Sequence, residues 1–319
     1  MASGMVARSG RGARGSWETV VARPHPRLRP GVISYRGIRL ALDGPRSRLE
    51  TPIGAATLLL GFEGSVRIAR PGRLPTTLES VYSALNTTAA VGEHGGRIFG
   101  IEILFTPWAA FTLFGTSQHE LTNRPVDPEE LPRPTGGGGR AGVAELAAAL
   151  AVLPGWTDRF RLLDDVLARW TQAGPPSSAR VVRAWSLLRR SGGAVPVARL
   201  ADEVGWSVRQ LENRFREQIG LGPKAAARVL RLQRARRLLA SGRSVAEIAA
   251  LCGFYDQAHL NGEFRAMTGC TPREFAAARG EVAATRSGLP GTDRMTGEVT
   301  SLVLSPNGSA HFSKTGRIA

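Results

Sequence analysis

Residues 195–279 constrain the fold more than any other stretch, because one helix-turn-helix pattern is written there twice. The first copy reads VPVARLADEVGWSVRQLENRFREQIGLGP (195–223) and the second SVAEIAALCGFYDQAHLNGEFRAMTGCTP (244–272). Each has a short helix, a Gly turn, a capped helix ending in Phe-Arg, and a Gly that leads into Pro. In the first copy Ser207 is a good N-cap, and Gln210 three residues on completes a capping box. Leu211, Phe215 and Ile219 recur every four residues and form the inward face. The opposite face carries Arg209, Gln210, Glu212, Asn213, Arg214 and Arg216. In the second copy Asp256 caps a helix of about 257–268 with Leu260 and Phe264 inward. Gln257, Ala258, His259, Asn261, Gly262 and Arg265 are left to face DNA or solvent. A helix of this kind fits the major groove, where Arg reads guanine and Asn or Gln reads adenine bidentately. Ser207 and Asp256 lie 49 residues apart. A linker helix over about 224–240 is predicted to hold the reading helices one DNA turn apart, about 34 Å.

Charge is distributed to match. The net charge of +16 divides into +5 over residues 1–29, zero over 30–179, +10 over 180–279 and +1 over 280–319. A neutral front half joined to a basic rear half is expected when the rear meets polyphosphate. Surface arginines there set register on phosphates without reading sequence.

Length and punctuation divide the chain of 319 residues into two domains. Residues 1–30, rich in Gly, Arg and Pro, read as a disordered basic tail. Residues 32–106 are strand-rich: TLLLGF (57–62), SVRIAR (65–70), SVYSAL (80–85) and IFGIEILF (98–105) are short apolar runs broken by Gly and Pro. Thr106-Pro107 starts a helix with Trp108, Phe111, Leu113 and Phe114 on its apolar side. A Gly run at 136–139 reads as a flexible connector, since no Gly-Lys-Ser/Thr follows it. Trp156, Phe160, Leu163, Leu167 and Trp170 form a stripe that serves as a core or a dimer face. Gly174–Ser178 is the natural boundary. The fold class is therefore α+β: a β-barrel or sandwich-like front domain with helices (31–174), then an all-α double helix-turn-helix domain (179–280). Residues 281–319 read as an unstructured tail.

Enzymatic chemistry finds no constellation. The five histidines are scattered, and none has metal-ligand spacing. No Gly-x-Ser-x-Gly elbow occurs. Catalytic residues, metal and cofactor are each expected to be none. Cys252 and Cys270 read as small core residues in a reducing compartment. No apolar run approaches a membrane span and no signal-peptide pattern is seen, so a cytoplasmic protein without a membrane partner is expected.

Residues 180–279 resemble the DNA-binding domain of the AraC/XylS family of bacterial transcription regulators. The resemblance is carried by LADEVGWSVRQLENRFREQIGLGP, RLQRARRLL and AALCGFYDQAHLNGEFRAMTGCTPREF. It implies a seven-helix domain, promoter DNA as the partner, RNA polymerase as a second partner, and base-facing roles for Arg209, Glu212, Asn213, Gln257, His259, Asn261 and Gly262. The front half resembles, more loosely, the small-molecule sensing or dimerising domains of that family, which implies a small-molecule effector and a homodimer. Gly262 and Asn213 stand where the family commonly has Arg, so affinity is expected to rest mainly on the first reading helix.

Three rivals are weaker. An alkylation-response methyl acceptor with this DNA-binding domain needs cysteines in its front half, and residues 1–251 have none. A nonspecific Arg-rich DNA-coating protein satisfies the charge, through phosphate neutralisation, but does not need two capped reading helices. An interaction protein that has lost DNA binding does not need the +10 of the rear half.

Overall fold

The computed structural model describes residues 4–12, 15–132, 142–285 and 301–304. Ten strands come first: β1 (Val6–Gly12), β2 (Gly15–Ala22), β3 (Val32–Leu42), β4 (Arg46–Glu50), β5 (Ala56–Glu63), β6 (Val66–Ala69), β7 (Thr76–Leu78), β8 (Val81–Ser83), β9 (Ala90–His94) and β10 (Arg97–Phe105). Helices α1 (Pro107–Phe114), α2 (Val143–Val152) and α3 (Trp156–Ala173) complete the front half. Then follow α4 (Ala179–Arg190), α5 (Val197–Glu203), α6 (Val208–Ile219), α7 (Pro223–Ala240), α8 (Val245–Cys252), α9 (Gln257–Thr268), α10 (Pro272–Thr285) and strand β11 (Ser301–Leu304).

The strands form two antiparallel sheets, ordered β1-β2-β3-β10-β5-β8 and β11-β4-β9-β6-β7. They do not close into one barrel. Side-chain alternation explains how the first sheet is used. Tyr35, Leu58, Leu60, Ile101, Ile103 and Phe105 point to one face and join a core with α1–α3. Their neighbours Arg36, Ile38, Thr57, Leu59, Ile98 and Glu102 point to the other face and line a cavity against the second sheet. Both faces are covered, which is why IFGIEILF reads as a continuous apolar run rather than an alternating one.

The cavity holds about 140 Å³ and carries charge inside its apolar walls. Arg36 pairs with Glu102 at 2.8 Å, the side chains 7% and 4% exposed, and Arg70 donates to the Thr88 carbonyl. On the opposite sheet, burial and the nearby Arg48 and Arg46 push the imidazole of His94 down to about 4. An unfolded chain binds that proton near its ordinary value of 6.5. Between these values the unfolded state holds more protons, so acidification from about 6.5 to 4 lowers stability. His94 Nδ1 accepts from the Gly96 amide, a bond that an asparagine oxygen can keep. His94→Asn is expected to shallow the fall of the thermal midpoint over that pH range; an unchanged slope would assign it to the carboxylates.

Several expectations need correction. The composition of residues 1–30 predicts disorder, yet Val6–Gly12 and Gly15–Ala22 are paired strands. The second is extended along β3, and its Val20 and Ala22 are buried. A basic, Gly-rich composition hides this alternation, because the long β3 supplies the partner backbone. The expected tail at 281–319 is likewise partly ordered: α10 runs to Thr285, and Ser301–Leu304 adds an edge to β4, burying Leu302 and Leu304. Residues 286–300 and 305–319, and the Gly run 136–139, lie outside the described residues. Thr106 does precede α1, but its hydroxyl donates to the Gly31 carbonyl rather than capping the helix.

The aromatic stripe of α3 is core. Phe160, Leu163, Leu167 and Trp170 are buried within the chain, and Trp156 lies so close against β3 that a Cβ on Gly37 would run into its ring. The buried Tyr35 hydroxyl donates to Asp164 and ties the same helix to β3.

Candidate nucleic-acid interface

Both helix-turn-helix units form as their local chemistry dictates. Ser207 Oγ accepts from the Gln210 amide, and Gln210 Oε1 accepts from the Ser207 amide. Leu211, Phe215 and Ile219 are fully buried beneath α6. Gly205, between α5 and α6, has φ +66°, and Gly253, between α8 and α9, has φ +72°; this left-handed turn costs Gly little. Asp256 Oδ1 accepts from the His259 amide at 2.7 Å and opens α9. A second capping box joins Ser244 and Glu247 at the start of α8. Its signal in the sequence is Ser-x-x-Glu before an apolar run.

The candidate reading residues lie at the surface of α6 and α9. Arg209, Gln210, Asn213, Arg214, Arg216, Gln257, His259 and Arg265 are exposed, whereas Glu212 and Asn261 are half-buried. Several already have intramolecular work. The amide oxygen of Gln210 is engaged in the capping box. Arg214 pairs with Glu217 at 3.0 Å, and Arg265 lies 3.8 Å from Glu274. His259 Nδ1 accepts from the Tyr255 amide, and its ring meets Phe254 edge-on. With Nδ1 accepting, the neutral ring carries its proton on Nε2, which leaves one N–H donor. Arg209, Asn213 and Gln257 have no such commitment among the described residues.

What sequence reading missed is how the two reading helices are held. Arg228 of α7 makes a bidentate pair with Glu263 of α9, at 2.6 and 3.2 Å. The front half grips the C-terminal ends of both reading helices. The Gly220 carbonyl, just past α6, accepts from Thr122 Oγ1 at 3.0 Å and lies 3.2 Å from His119 Nδ1. The Met267 carbonyl of α9 accepts from the Ala89 amide at 2.8 Å. Gln218 of α6 accepts from the Ser178 amide. Helix α7, about 27 Å long at 1.5 Å per residue, buries Arg236 completely, and that guanidinium donates to Thr51 Oγ1 and to the Pro52 carbonyl. The linker over 174–178 is pinned as well, through Ser177 to Thr112 and Trp108. Arg236 has a readable signal: it continues the inward series Val229, Leu232.

Gly262 is helical, and a Cβ added there would meet nothing within 4 Å. Gly262→Ala is therefore expected to stabilise by about 0.5–1 kcal/mol, through the backbone entropy of the unfolded chain. A thermal midpoint that falls in that variant would refute the open-space reading. The thiols are inert by position: burial raises the pKa of Cys252 and pushes that of Cys270 up to about 11. Among the described residues no group of His, Cys, Asp and Glu could hold a metal ion, and no helix is long and apolar enough to cross a membrane.

Residues 200–278 match a family described as a helix-turn-helix domain. The transcriptional activator RhaS of Escherichia coli is 38% identical over 89 residues, which cover 25% of this chain and 32% of that protein. RhaS of Escherichia fergusonii is 39% identical over 87 residues, covering 27% and 31%. The chain thus spans about a third of the length of the curated relatives it matches. Among solved structures, a transcriptional regulator with an AraC-type DNA-binding domain from Chromobacterium violaceum is 34% identical. It covers 31% of this chain and 89% of that one, with a TM-score of 0.29. ToxT of Vibrio cholerae is 9% identical and covers 76% and 98%, with a TM-score of 0.43.

Proposed function

We propose that this chain, whose residues 200–278 match a helix-turn-helix domain family, is an AraC/XylS-type sequence-specific DNA-binding transcription regulator that sets α6 and α9 into successive major grooves of promoter DNA. The observation that carries this reading is the pair of capped helices with buried apolar faces and exposed Arg, Asn and Gln faces. On this reading Arg209 and Asn213 read bases in one groove and Gln257 in the next. Arg214, Arg216 and Arg265 meet phosphates, and Gln210 and His259 chiefly hold the N-termini of their helices in shape. Glu212 and Asn261 border the base-reading strip. Residues 179–280 are the DNA-binding unit and 31–174, with β1 and β2 extending its first sheet, the sensing or dimerising unit, with RNA polymerase and a second copy of the chain as partners.

A small-molecule effector would occupy the cavity between the two front sheets. The support is its apolar walls and its few buried charged groups, Arg36, Glu102 and Arg70, the usual make-up of a ligand pocket; at about 140 Å³ it is smaller than a typical pocket and fits a small effector. Thr51 and Pro52 line that cavity and also accept from Arg236 of α7. An effector that binds two arrangements of this junction with different affinity shifts the population of one.

The test is selection from a random DNA library by the full chain at near-physiological salt. Recovery of two conserved half-elements about ten base pairs apart is expected. DNA recovered without a motif, both by the full chain and by residues 179–280 alone, would replace this reading with nonspecific coating.

A further inference from the structure

A second recess lies outside the front cavity, where the front half meets α4 and α7. It holds about 470 Å³, within the ordinary range of ligand sites. Its front wall is the segment after β2 and the start of β3, including Arg29 and Val32; its rear wall carries Arg189 and Arg190 from the end of α4 and Arg237 from α7. None of its lining residues is acidic. Arg189 and Arg190 are exposed and make no ion pair among the described residues. Trp185 also borders the recess. It is 2% exposed, and its indole Nε1 has no hydrogen-bond partner among the described residues.

We propose that this recess binds a small phosphorylated anion. Its oxygens would accept from the terminal nitrogens of Arg29, whose Nε already donates to the Pro24 carbonyl, on one side and from Arg189 and Arg190 on the other, beside the Trp185 ring. Planar guanidinium groups suit phosphate oxygens through paired N–H bonds. The lining itself supplies no carboxylate, so an anion there relieves repulsion between Arg189 and Arg190 as well as forming hydrogen bonds. Because Arg29 belongs to the front half and the other two to the rear, an occupant bridges the halves and favours their docked arrangement. The recess shares no lining residue with the cavity between the sheets and includes none from α6 or α9.

The probe is inorganic pyrophosphate, titrated into the full-length protein at constant ionic strength. Heat of binding and the indole N–H resonances are read together, and the Trp185 signal is assigned by its loss in Trp185→Phe. One saturable site that moves the Trp185 resonance is expected. The double variant Arg189→Ala/Arg190→Ala should bind about tenfold more weakly or worse. Arg209→Ala/Arg216→Ala, altered only on the first reading helix, should bind as the parent does. Absence of saturation, a Trp185 resonance that stays put, or equal loss in the reading-helix variant would overturn the proposal. If pyrophosphate does not bind and Arg189→Ala/Arg190→Ala instead weakens DNA binding with a shallower salt dependence, these arginines contact the DNA backbone and the recess is no ligand site.

Discussion

Arg236→Ala is expected to lower the stability of the folded chain by about 3 kcal/mol, through a cavity in a closed core and acceptors left without a donor. The guanidinium is fully buried, and it joins α7 to Thr51 and Pro52 of the front half. Gln233, one turn earlier, accepts from the Gly54 amide at 2.9 Å and extends the same seam. At Gly54 itself an added Cβ would come 2.7 Å from Leu230, so the two halves approach too closely for a side chain to fill in. Arg236→Met restores much of the volume without the donors, and should recover part of the loss. Urea denaturation followed by fluorescence measures both. If alanine costs under about 1 kcal/mol, the value of an ordinary surface change, the seam is not what holds the halves together.

Arg209→Ala is expected to weaken binding to the selected DNA site by about 1–3 kcal/mol, roughly 5- to 150-fold, the usual worth of a bidentate base contact. Gln257→Ala should cost less, since α9 carries Gly262 in the middle of its exposed face and has less basic charge than α6. Arg216→Ala should act differently from Arg209→Ala. Removing a cation that faces phosphate lowers affinity across all sequences and reduces the salt slope by about one. Fluorescence anisotropy at several salt concentrations separates the two effects. An intact Arg209→Ala beside an inactive Gln257→Ala would reverse the ranking of the reading helices.

How much was readable differs sharply between the halves. In α6 and α9 the caps, turns and apolar spacing are local, spanning four residues or fewer, and Ser207, Gln210, Gly205, Phe215 and Phe264 declared themselves without any partner. Strands β1 and β2 did not, because a strand's partner lies elsewhere in the chain and Gly-Arg-rich composition masks a weak alternation. The stripe on α3 was legible as apolar but not as core rather than interface, since periodicity states which face is buried and not what buries it. The same limit applied to the reading residues: the exposed face was readable, but the engagement of Gln210, Arg214 and His259 with their own neighbours was not.

The sequence by itself determined two helix-turn-helix units, their caps, their exposed polar faces and the confinement of basic charge to the half that carries them. These follow from interactions within one or two helical turns and from composition. Only the tertiary structure decided that the front half holds the C-terminal ends of both reading helices, through Thr122 at Gly220 and Ala89 at Met267, and that Arg236 is a buried strut rather than one more surface cation. The residues in those bonds are 98, 178 and 185 positions apart. Such pairings are set by the packing of whole sheets against whole helices, and no local pattern encodes them.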